Sequence, residues 1–255
     1  MQNTLLKNKN IRLPECFRAD LWQGITGLQL RVIVLLSFIA ISLIPNSTLA
    51  QTTVQIGTGT LVPANTLYGP VYRYSTTSST AGVKVNMLWT AAEMAAAGIP
   101  AGADIVGVEF NKTNAGTFNG TVPFKMYVAN TSNTTLNTTD TWSGVLTTHT
   151  PVIDNTTYNV PSTAGWVTYT FSSPFSYSGG AFEVASEYTL SGLTSPHSTD
   201  GFKWEYTSGS SDKIVATVSA TSDVLSSTTT AYKHRPNIRI IYSSGACTSP
   251  PTAGA

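Results

Sequence analysis

The stretch Leu88–Phe110, LWTAAEMAAAGIPAGADIVGVEF, decides how the rest of the chain is read. Thr90 and Glu93 stand at capping-box spacing: the hydroxyl can accept from the N–H three residues on, and the carboxylate can reach back. Ala91, Ala92, Met94, Ala95, Ala96 and Ala97 extend a helix at low entropic cost. Gly98 supplies a left-handed end, and Pro100 prevents the helix from resuming. From Ile105 the period becomes two, with Val106, Val108 and Phe110 on one face and Ile105, Gly107 and Glu109 on the other. A short helix hands over to a strand.

Outward from it the chain reads as strand after strand. Thr52–Ile56, Val71–Tyr74 and the alternating Val83, Val85 and Met87 come before it. Thr121–Val128, Gly144–Val152, Trp166–Phe171, Ala181–Tyr188, Gly201–Tyr206 and Asn237–Tyr242 come after it. Asn130–Thr141 has no apolar period and reads as a polar loop, and Ser172-Ser173-Pro174 reads as a turn. Roughly ten short strands and one short helix predict an all-β fold, an antiparallel jelly-roll-like β-sandwich. An immunoglobulin-like sandwich is the second choice, since its Cys…Trp…Cys pattern is absent.

The ends read differently. Lys7, Lys9, Arg12, Arg18 and Arg31 precede an apolar run over Val32–Ile44, and Thr48-Leu49-Ala50 offers small residues for cleavage. The run is 13 residues long, short of the ~20 that span a bilayer. Residues 1–50 therefore read as a cleaved signal peptide, with no membrane span afterwards. Residues 51–243 read as the β-sandwich module, and 244–255, rich in Pro, Gly and Ser, as a linker into a further domain. Cys247 has no second cysteine beyond the signal, so its partner is expected outside this segment.

Beyond Ala50 there are nine basic residues (six Lys, three Arg) and eleven acidic (six Asp, five Glu). That balance, without a basic stripe, excludes a nucleic-acid footprint. Charged residues make up 11% of the chain, far below the usual quarter, and Thr, Ser and Asn replace them. Regular aromatic and β-branched residues speak against disorder.

Four segments occur together in order: TAAEMAAAGIPAGADIVGVEF from Thr90, FKMYVANTSNTTL from Phe124, GWVTYTFSSPFSYSGG from Gly165 and HRPNIRIIY from His234. In this combination the chain resembles the N-terminal β-sandwich module of large secreted, multidomain Bacteroidota surface proteins of the type IX secretion kind. The resemblance spans about residues 57–243. It implies export, a non-catalytic accessory role and adhesion, with downstream domains of the same chain as neighbours. It carries over no ligand and no catalytic residue.

Site candidates are weighed against plainer accounts. Glu183, Ala185 and Glu187 share a strand face, and their outer spacing is similar to the Glu-x-Asp-x-Glu strand of laminarinase-type glycoside hydrolases. Ala185 replaces the central Asp. Residues four apart on a strand start ~13 Å apart, against the ~5.5 Å of a retaining pair. Two solvated carboxylates are the preferred account, and no catalytic residue is assigned. His149 and His197 read as surface histidines, and neither they nor His234 stand in an HExxH-type motif. Asp140, Asp154, Asp200, Asp212 and Asp223 are the candidates for a structural calcium. They lack the spacing of a calcium loop, so turn and capping chemistry is preferred, and no metal or cofactor is assigned. Sequons at Asn111, Asn119, Asn130, Asn133, Asn137 and Asn155 read as products of Asn/Thr-rich composition.

Aromatics are the remaining candidates. Trp89, Trp142, Trp166 and Trp204, with Tyr68, Tyr72 and Tyr74, could stack on sugar rings, core packing being the alternative for each. Trp142 stands among polar residues and reads as the exposed one. The ligand-binding set is Trp142, Asp140, Trp204 and Tyr72, its partner a glycan or a surface protein. The competing functions are a structural spacer without a ligand and, behind it, a divergent laminarinase-like hydrolase.

Overall fold

Eight strands pair as one long antiparallel ribbon wound on itself. β1 (Gln51–Ile56) pairs with β11 (Ile238–Ser243), and β2 (Gly82–Trp89) pairs with β7 (Ala181–Thr189). β3 (Asp104–Lys112) pairs with β6 (Gly165–Ser176), and β4 (Val122–Thr131) pairs with β5 (Thr150–Tyr158). First with last, second with seventh, third with sixth and fourth with fifth is the winding of a jelly roll. The ribbon folds into a four-stranded sheet, β1-β11-β3-β6, and a five-stranded sheet, β5-β4-β7-β2-β9, whose last member is β9 (Ile214–Thr217). β8 (Tyr206–Ser208) and β10 (His234–Pro236) form a separate two-stranded ribbon.

This computed structural model describes residues 50–62, 69–71, 82–118, 120–189, 203–209, 212–217, 221–225 and 234–244. Residues 1–49, which hold nearly all of the expected signal peptide, and Tyr68, Tyr72, Tyr74, His197, Asp200 and Cys247 lie outside them. Among the described residues no helix is long and apolar enough to cross a membrane.

The two sheets share one core. Val85, Met87, Phe124, Met126, Phe182 and Val184 meet Ile105, Val108, Phe110, Tyr169, Ile238 and Ile240 in a continuous cluster. Phe110 sits at its centre, with ring centroids 6.0 Å from Tyr169, 6.2 Å from Trp89 and 6.5 Å from Trp204. Lys112 is fully buried, its ammonium donating to the carbonyls of Gly116 and Pro161, and burial lowers its pKa.

Helix α1 (Ala91–Ala96) carries the capping box: Glu93 N donates to Thr90 Oγ1 at 3.4 Å, and Thr90 N donates to Glu93 Oε2 at 2.8 Å. Its other end is a Schellman turn, with Gly98 at φ 78°, Gly98 N donating to Ala95 O and Ile99 N to Met94 O. Arg235 then fastens the helix. Its guanidinium donates to both oxygens of Glu93 and to Leu88 O, and lies 5.0 Å over the Trp89 ring. Two of the four quoted segments thus meet at Glu93 and Arg235. Burial pushes the Glu93 carboxyl up, but bonds from Arg235 and Thr90 outweigh it and bring the pKa down to about 2.

Four expectations are corrected. There are two helices among the described residues, because Trp142–Thr148 is α2 and not the start of a strand. β6 runs unbroken through Ser172-Ser173-Pro174, which β6 tolerates as the edge of its sheet, where a missing N–H costs no ladder bond. An irregularity between Ile105 and Gly107 re-aims β3, so Ile105 joins the core while Val106 is only partly buried. Gly201–Tyr206 is not a strand over its described part, where Trp204 makes a single bridge to Lys112 before β8 begins.

Candidate functional site

A sandwich offers two outer faces, and here they are finished differently. The five-stranded sheet is covered. The connection from β4 to β5, with α2 inside it, and the segment 221–225 pack over it and enclose a second cluster, in which Leu136, Trp142, Val145 and Leu225 meet Leu88, Tyr127, Ala185 and Val215. Trp142, expected in water, is 3% exposed and meets Tyr127 edge-on at 5.7 Å. The cause is local: Trp142 and Val145 lie three apart on a helix that turns both toward the sheet. Helix α2 is capped twice. Thr141 Oγ1 accepts from Gly144 N at 3.1 Å, and Asp223 accepts from Ser143 N and Ser143 Oγ, each at 2.7 Å.

Beneath this cover lies a buried carboxylate. Glu183 is 3% exposed, not solvated as its place on a strand face suggests. Its Oε2 accepts from Asn86 Nδ2 at 2.7 Å and its Oε1 from Asn133 Nδ2 at 2.9 Å. His149 Nε2 lies 3.2 Å from Oε2, and His149 Nδ1 is 2.9 Å from Thr148 Oγ1. His149 is buried too, against expectation, because it ends α2 directly over β7. Burial alone would raise the Glu183 pKa, but the contacts from His149, Asn86 and Asn133 outweigh it and hold the carboxyl below its usual range. A carboxylate kept ionised by these contacts is a poor proton donor. Glu187 is turned to another task, accepting from Tyr127 OH at 2.8 Å. Glu183 thus clamps the cover to the sheet, while Glu187 bonds within the sheet.

Among the described residues no connection crosses the outer face of the four-stranded sheet. One row of polar side chains crosses all four of its strands in register, Gln55, Arg239, Glu109 and Thr168. Thr168 Oγ1 donates to Glu109 Oε1 at 2.8 Å, Arg239 Nη1 lies 3.7 Å from Glu109 Oε2, and Arg239 Nε donates to Gln55 Oε1 at 3.3 Å. The next row holds Trp166 opposite Asn111, and Asn111 Nδ2 donates to Glu205. The guanidinium of Arg239 lies 4.0 Å over the indole of Trp166. On the other side Thr170 and Gly107 keep the face low, and a Cβ on Gly107 would approach Tyr169 O at 2.9 Å. Among the described tryptophans, Trp89, Trp142 and Trp204 are buried, and only Trp166 is partly exposed.

The expected ligand set is therefore not assembled. Trp204 is a core residue, 1% exposed, its Nε1 donating to Val71 O at 2.7 Å. Asp140 closes a turn, Oδ2 accepting from Asn137 N at 3.0 Å, while its carbonyl accepts from Leu225 N. Tyr72 lies outside the described residues. Of the other aspartates, Asp223 caps α2 and Asp154 pairs with Lys125 at 3.3 Å on the surface. Sequence reasoning passed over Arg239 and Glu109. Their signal is the charge set between apolar neighbours, Ile238-Arg239-Ile240 and Val108-Glu109-Phe110, which marks the outward face of a strand.

No family model matches the chain, and no curated protein does. Among solved structures it is similar to the cysteine protease and lectin-like domains of Cwp84, a surface layer associated protein of Clostridium difficile. That likeness has a TM-score of 0.40 at 9% identity, over 65% of this chain and 32% of that one. A second is the clostridial cysteine protease Cwp84 after propeptide cleavage, at a TM-score of 0.41 and 8% identity, over 76% of this chain and 40% of that one. The chain spans well under half of either structure, and a likeness this loose transfers neither ligand nor reaction.

Proposed function

We propose that the chain is a non-catalytic, extracellular binding module, exported as part of a larger surface protein, that recognises a glycan on the outer face of its four-stranded sheet. The observation that carries this reading is Trp166, a partly exposed indole on a flat face whose neighbours are hydrogen-bonding side chains. An aromatic ring takes the C–H side of a pyranose while donors and acceptors beside it take the hydroxyls. The resemblance to secreted surface modules supports the location, and the commitment of Glu183 to a buried clamp supports the absence of catalysis. A spacer without a ligand is the competing reading, favoured by the mutual bonding of Gln55, Arg239, Glu109 and Thr168.

A glycan array on the purified protein and on Trp166→Ala tests the proposal. Signals on the wild type that vanish in a variant of unchanged melting temperature support it. A blank array on the wild type moves the assignment to the spacer.

A further inference from the structure

Resting on that reading, we infer that the face takes neutral saccharides, and that Arg239 and Glu109 together read a pair of adjacent hydroxyls. The argument starts from charge. Arg239 brings one positive charge to the face, and Glu109 and Glu205 bring two negative ones, so an anionic sugar meets no net attraction there. Arg239 is a donor without acceptor capacity, and ionised Glu109 is an acceptor without donors. They stand 3.7 Å apart, beyond a direct hydrogen bond. A hydroxyl does both jobs: it can accept from the guanidinium and donate to the carboxylate. Two hydroxyls on neighbouring ring carbons can divide the pair between them. Carboxylate and sulfate groups supply acceptors only, and beside Glu109 they add repulsion.

Geometry agrees with the charge. Arg239 is held by stacking on Trp166 at 4.0 Å and by a 3.3 Å bond from Nε to Gln55, which fixes its plane, and among the described residues its Nη groups make no hydrogen bond. Glu109 is oriented from the far side by Thr168. The diol reader therefore stands on the indole, and a sugar ring that meets Arg239 and Glu109 meets the stacked guanidinium and the exposed part of Trp166 together. Glu109 acts on ligand identity, and Trp166 on whether any pyranose binds.

The experiment is a calorimetric titration of the whole protein with two sets of probes. The neutral set is cello-, manno- and xylo-oligosaccharides, and the acidic set is oligogalacturonates and oligoguluronates. Wild type should bind within the neutral set, with little dependence on salt. Glu109→Gln keeps the shape and removes the charge, and should weaken that binding about ten- to hundredfold, the scale of a hydrogen bond to a charged group. Arg239→Lys, which loses the planar fork, should weaken it as well without unfolding the protein. Tighter binding of the acidic set, strengthened by Glu109→Gln, would overturn the ligand class while leaving Trp166 as the glycan platform. Binding of neither set would instead remove the glycan reading itself.

Discussion

The outer faces of the two sheets are built from the same kind of alternating strand, yet one is roofed and the other bare. On the five-stranded sheet the outward residues Leu88, Tyr127, Ala185 and Val215 are apolar, and the β4–β5 connection brings Leu136, Trp142 and Val145 to cover them. On the four-stranded sheet the outward residues are Gln55, Arg239, Glu109, Thr168 and Trp166, and the described chain sends no connection across them. The difference teaches which face carries stability, and under the proposed function it leaves recognition to the other. A tryptophan on the roofed face is a structural residue, and the tryptophan on the bare face is partly exposed beneath Arg239.

The largest effect should come from Trp142→Ala, which removes an indole from the second cluster and should cost about 3–5 kcal/mol. Trp166→Ala on the bare face should stay within about 1 kcal/mol, since Trp166 is partly exposed and lies outside both core clusters. Urea denaturation of both variants measures the contrast, and equal losses would break it.

Next in size is Glu183→Gln, which should cost about 3 kcal/mol at neutral pH by breaking a buried charge-assisted network. The Glu183 pKa is depressed in the folded state. Its contribution is therefore full above the unfolded carboxylate value, about 4.3, and is lost as pH falls through the lower folded value. The gap between wild type and Glu183→Gln should narrow on acidification from pH 5 downward. A gap that widens would place the proton elsewhere.

How much of this was legible in the sequence follows from the range of the interactions involved. The capping box at Thr90 and Glu93 needs only three residues of separation, and it stands as read. The jelly-roll class follows from alternation within strands, which is also local. The roof was not legible. Asn130–Thr141 looks like solvated loop because it is polar, and Glu183 looks like an outward carboxylate because it alternates with Phe182 and Val184. What buries Glu183 comes from Asn86, Asn133 and His149, between 34 and 97 positions away, and no periodicity carries that. One clue was present: Thr141 ahead of Trp142, Val145 and Leu146 is a cap followed by helical spacing. β9 was missed because Ile214–Thr217 is a strand of four residues without alternation, every one of them buried.

Smaller effects sharpen the contrast. Thr90→Ala should cost about 1 kcal/mol, because the N-cap acceptor of α1 is lost, and a thermal melt reads it directly. Thr168→Ala on the bare face should cost under about 0.5 kcal/mol, since its one bond to Glu109 is solvent-exposed. A larger loss there would mean that the polar row crossing the four strands is structural and not a surface kept for a ligand.

The separation of the two faces is tested most directly by hydroxyl-radical footprinting of the native protein, read by mass spectrometry at each tryptophan, with and without a glycan selected on the array. The account predicts that Trp166 is oxidised readily in the free protein and protected when the glycan is present, while Trp89, Trp142 and Trp204 stay unlabelled in both states. Rapid oxidation of Trp142, with protection of Trp142 and not of Trp166 by the glycan, would contradict it.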